Sequence, residues 1–133
     1  MYARLGIASA SLALAIALPA LLAGCASEID RRPTQFSRST DTATFVLAND
    51  TTVTPTLGYP ATLKAGSTWV HVGQVPEGPV YAIKNEVFMV RGRNAHEAQC
   101  VISDGGKLIG FFLPVERAFV PVDPQVQLPI NRK

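Results

Sequence analysis

Apolar and polar positions divide the chain into three regimes. Residues 5–22 form an uncharged run rich in Ala and Leu. Residues 26–41 (ASEIDRRPTQFSRSTD) are polar with isolated apolar positions, and hold neither the 3.6-residue period of a helix nor the two-residue period of a strand. From Thr42 onward short runs rich in Val, Ile, Thr and aromatic residues recur: 42–47, 68–75, 80–83, 87–91, 99–103, 107–113 and 118–122. Turn compositions separate many of them, namely PEGP at 76–79, KNE at 84–86, GRN at 92–94 and DGG at 104–106. Pro55 and Pro60 make 51–66 a loop or an edge strand. The pattern predicts an all-β domain over 42–122, built as a small barrel or compact β-sandwich.

The flanks of that domain read differently. Residues 25–41 are expected to be a flexible tether; about 16 such residues have a root-mean-square reach near 22 Å and a full extension near 55 Å. Residues 123–133 are expected to leave the domain as an extended, Pro-containing tail. There Val126, Leu128 and Ile130 alternate with other residues, so one face could join a partner's sheet edge.

Arg4, the apolar run and the small residues Ala20, Ala23 and Gly24 have the layout of a secretory signal. The run approaches the roughly 20 residues that span a bilayer core; Pro19 and the small residues favour processing over spanning. Leu22-Ala23-Gly24-Cys25 resembles the lipobox of bacterial lipoproteins. The resemblance implies a signal peptide over 1–24, cleavage between Gly24 and Cys25, and a diacylglyceryl and N-acyl lipid on Cys25. A cysteine suits this because its thiolate is nucleophilic, and more than one acyl chain gives stable attachment. Ala26 and Ser27 follow where an aspartate would be similar to the inner-membrane pattern. The implied location is thus the outer membrane, facing the periplasm.

Removing 1–24 leaves 109 residues, enough for one domain. The whole chain carries twelve Lys and Arg against ten Asp and Glu, and Arg4 lies in the leader. A net charge near +1 with scattered basic residues gives no footprint for nucleic acid. With Cys25 acylated, Cys100 would be the remaining thiol, expected to be buried and inert. His96-Glu97-Ala98-Gln99-Cys100 compares poorly with H-E-x-x-H, whose two histidines share a helical face. In a turn entering a strand, a loop histidine and a solvated glutamate are expected instead, and no metal or other cofactor. His71 shares a strand face with Trp69 and could contribute to a shallow surface site. Ser103-Asp104-Gly105-Gly106 reads as a hairpin turn, since G-x-S-x-G is absent. No catalytic residues are expected; an enzyme would require His71, His96 and Glu97 to converge.

Residues 105–122 (GGKLIGFFLPVERAFVPV) resemble the end of an SH3-like barrel: a glycine turn, a strand into Phe111-Phe112, a proline-started turn at 113–117 and a closing strand with Phe119. Asp104 to Phe111 is similar to the hairpin of bacterial SH3-like modules, some of which bind cell wall. The paired tryptophans of the proline-binding groove are missing. The expectation is a non-catalytic protein-interaction or accessory module of a cell-envelope assembly, of secretion or conjugation type, with an envelope protein as partner. The alternative is a peptidoglycan- or glycan-binding module using exposed aromatics: Trp69, Tyr81, Phe111 or Phe112.

Overall fold

The computed structural model describes residues 28–131. The apolar run, the cleavage position at Gly24 and Cys25 lie outside the described residues. Two short strands precede the expected domain, β1 (Arg32–Pro33) and β2 (Ser37–Arg38). They are followed by β3 (Thr44–Leu47), β4 (Thr51–Val53), β5 (Ala61–Leu63), β6 (Thr68–Val75) and β7 (Gly78–Ile83). The chain continues through β8 (Met89–Arg91), β9 (Ala95–Glu97), β10 (Gln99–Ile102), β11 (Lys107–Leu113), β12 (Ala118–Gln127) and β13 (Ile130–Asn131). The fold is all-β, as the pattern predicts.

One antiparallel sheet runs in the order β1-β12-β11-β10-β7-β6-β3-β13, with β2 also beside β6; the hairpins β4–β5 and β8–β9 form two small further sheets. No closed barrel results. Only Leu128 and Pro129 separate β12 from β13, so one chain segment supplies strands near both ends of the sheet.

The central strands read as continuous apolar runs because both faces of the sheet are covered. Successive side chains point to opposite faces, and the adjacent aromatics separate accordingly. Phe111 enters the main core with Trp69, Cys100, Leu113 and Val120. Phe112 enters a second cluster with Val75, Val80, Val101 and Phe119. Gly110 lets β12 approach: a Cβ there would lie 2.5 Å from the Phe119 ring and from the Val120 carbonyl. The 103–106 turn joins β10 to β11 as expected, with Gly106 at φ 84°.

Both flanking expectations need correction. Residues 28–39 form a strap bound to the domain. Ile29 is buried in the main core, and β1 pairs with β12 through Arg32↔Phe119 and Pro33↔Ala118. Farther along, β2 pairs with β6 through Ser37↔Gln74 and Arg38↔Gly73. Between them the Phe36 ring stacks on Phe112, centroids 4.9 Å apart, and a Cβ on Gly73 would overlap it. The physical reason is the apolar outer cluster, which one aromatic ring helps to cover.

The tail is likewise part of the domain. Val126 pairs with Leu108, Leu128 is buried in the main core, and Ile130 pairs with Leu47. The alternation that suggested a strand for a partner is used within the chain. The 51–66 segment is a β4–β5 hairpin, with Pro55 bridged to Val122.

Candidate functional site

Residues singled out for an exposed surface fall into two groups. Trp69, Phe111 and Phe112 are core residues, only 0%, 0% and 3% exposed. The aromatic platform expected of a glycan-binding face therefore does not form from them. Trp69 spends its indole N–H on Ser67 Oγ at 2.9 Å and meets Phe88 edge-on. Tyr81 and Ile130 are half-buried and line a cleft of about 270 Å³ together with Phe45, Pro79, Ser103 and Asp104. His71 packs its ring 5.2 Å from Tyr81 and places Nδ1 3.0 Å from an Asp41 carboxylate oxygen; its Nε2 is buried with no hydrogen-bond partner among the described residues.

His96 is not a loop histidine. It lies in β9 and is 5% exposed, a buried polar side chain within an otherwise apolar interior. Its Nδ1 lies 2.7 Å from Glu116 Oε2 and its Nε2 3.2 Å from Glu28 Oε2. Glu116 comes from the turn after β11 and Glu28 from the start of the strap. Filling both hydrogen bonds takes two N–H donors, the imidazolium form; a neutral ring leaves one nitrogen facing an acceptor unless a carboxyl carries the proton.

Neighbours complete this clasp. Asn94 Nδ2 donates to Glu28 Oε2 at 3.0 Å, and the Ile29 N–H donates to Glu28 Oε1 at 3.0 Å. Arg31 approaches Glu116 at 4.0 Å, while Glu116 Oε1 is buried without a partner among the described residues. Burial alone would raise the Glu28 carboxyl. The bonds from Asn94, Ile29 and His96, with the charge of His96, outweigh it and hold the group at about 2. The carboxylates flank the imidazole on its two sides, and no group of three described residues converges as a metal site. This is the chemistry of a fastener: one imidazole between two carboxylates ties the strap to the β11–β12 turn. His71 belongs to a separate hydrogen-bonded pair with Asp41.

The strap also creates a surface feature. A groove of about 740 Å³ runs between it and the sheet, with Phe36, Val72, Phe112 and Pro114 on its apolar side and Arg38, Glu116 and Arg117 supplying charge. Cys100 is buried as expected, and burial pushes its thiol well above the ordinary range. Sequence reasoning missed the clasp because its members stand 68 and 20 residues apart in pairs. The one available signal was a His two residues after Asn94 in a polar turn, which does not identify carboxylate partners.

Comparison with protein-family models, curated proteins and solved structures gives no match to this chain.

Proposed function

We propose that this chain is the precursor of an outer-membrane lipoprotein, anchored through Cys25 and facing the periplasm. Its β domain serves as a non-catalytic protein-interaction or accessory module of a cell-envelope assembly, with an envelope protein as partner. The observation that carries the proposal is the strap. The segment that follows the lipobox-like Leu22-Ala23-Gly24-Cys25 within three residues is bound to the domain and forms one wall of the 740 Å³ groove. Apolar side chains flanked by Arg38, Arg117 and Glu116 suit an amphipathic peptide carrying both apolar anchors and charge. A partner held there would be recognised at a fixed place relative to the membrane.

Two measurements test the reading. Palmitate labelling of the full chain is expected, and is expected to vanish in Cys25→Ser; labelling unchanged by that substitution would sink the anchor. A photocrosslinking residue at Gln35, beside the groove, is expected to capture a discrete envelope protein that the same group at Lys107 does not. Equal capture from both positions would remove the groove from the proposal.

A further inference from the structure

We infer that the face around Leu57, Tyr59 and Met89 lies on the lipid surface that holds the Cys25 anchor, with Arg91 and Arg93 contacting anionic headgroups. This rests on the anchor reading above and adds an orientation to it. Leu57, Tyr59 and Met89 are 64%, 56% and 42% exposed, three of the five large apolar side chains that the described residues leave open. They are gathered at one place by the start of the strap. Asp30 N–H donates to the Thr56 carbonyl at 2.9 Å, and Tyr59 N–H to the Arg91 carbonyl at 2.9 Å. The 57–59 turn presses on Ile29, since a Cβ on Gly58 would fall 2.7 Å from Ile29 Cγ2. In β8, Val90 is buried while Met89 and Arg91 are exposed, so those two share the outward face. Arg93 is exposed in the turn that follows.

Chain length then fixes where this face sits. Glu28, clasped by His96 and Asn94, stands three residues after Cys25. Three fully extended residues span roughly 11 Å, comparable to the headgroup layer, which is about 5–8 Å on each side of the hydrocarbon core. A lipidated Cys25 therefore holds the Ile29 end of the domain at the headgroups. The residues presented there are those that partition to such an interface: a tyrosine with a polar tip, two flexible aliphatic side chains and guanidinium groups for phosphate. The anchor also supplies a high local lipid concentration, so a small patch suffices.

The test uses the full-length lipidated chain reconstituted into phosphatidylethanolamine and phosphatidylglycerol vesicles with brominated acyl chains. Trp69, the chain's single tryptophan, is wholly buried and gives the background emission. Tyr59→Trp is expected to add emission that is blue-shifted and at least halved by the brominated lipid. Lys107→Trp, at the other end of the seven-residue strand β11 from the Glu116 turn, is expected to add emission without that quenching. Arg91→Glu is expected to reduce the quenching of Tyr59→Trp. Equal quenching at positions 59 and 107, in protein that floats with the vesicles, overturns the orientation and leaves the anchor standing. Failure to float overturns the anchor and the orientation with it. Shielding of position 59 that appears only at high protein-to-lipid ratio identifies a second copy as the occupant, and also overturns the inference.

Discussion

Replacing Glu28 by Gln keeps the size and one acceptor of the side chain but removes the charge facing His96. The drop of the Glu28 carboxyl from the ordinary 4.5 to about 2 corresponds to about 3 kcal/mol at about 1.4 kcal/mol per pH unit. The side chain retains 23% exposure, so water recovers part of that interaction, and about 2 kcal/mol is the expected loss for Glu28→Gln at neutral pH. The sign follows from which state binds the proton more tightly. The unfolded carboxyl does, so the stabilisation is present above about pH 4.5 and drains away as pH falls through about 2. Urea unfolding followed by the fluorescence of buried Trp69 measures it directly. The difference between parent and variant is expected to be full at about pH 7 and about pH 5, and to shrink to less than half by about pH 3. A difference that stays constant over that range would refute the role of the Glu28 charge.

Three shorter predictions concern the strap and the two cores. Phe36→Ala removes a ring stacked on Phe112 and is expected to cost about 2 kcal/mol, the half-buried share of a Phe truncation; trypsin cleavage after Arg38 should then accelerate at least tenfold. Gly110→Ala places a Cβ 2.5 Å from backbone and ring atoms of β12; about 2–3 kcal/mol of lost stability is expected from urea midpoints. Cys100 is wholly buried with its thiolate disfavoured, so thiol reagents are expected to label it only at the rate of unfolding; rapid labelling of the folded protein would contradict the packing.

The longer strands of the domain were legible because each is long enough to show its composition. The expected runs at 68–75 and 107–113 coincide with β6 and β11. What escaped were β1 and β2, whose partners are distant, and β9, read as a loop. β1 and β2 are two residues each, held by backbone pairing to β12 and β6 and by Ile29 and Phe36 seven positions apart. Two anchors in a polar stretch generate no period, so composition alone assigns the strap to a tether. The tail misled for the opposite reason: its alternation was visible, but sequence cannot say whose sheet the strand joins, and here it is β3 of the same chain. Exposure of Trp69, Phe111 and Phe112 was misjudged for a related reason. A sheet covered on both faces leaves neither side of an aromatic pair in water, and the cover over Phe112 comes from the segment read as a tether.

The strap also decides what an anchor at Cys25, as proposed, does mechanically. Released as far as Ser39, the intervening chain would let the domain wander with a root-mean-square reach of about 20 Å. Bound, it leaves three residues and roughly 11 Å. The contacts that set this difference are the β1–β12 and β2–β6 pairings, Ile29 in the core, the Glu28–His96–Glu116 clasp, and Phe36 on Phe112. Because they lie along one segment of the chain, losing the inner contact at Phe36 frees β2 while the clasp still holds Glu28. Losing the clasp loosens the end nearest the lipid while Phe36 holds the groove wall in place. Glu28→Gln and Phe36→Ala should thus separate the two functions of the strap. The first is expected to weaken the fixed approach of position 59 to lipid while crosslinking from Gln35 persists, and the second to do the reverse.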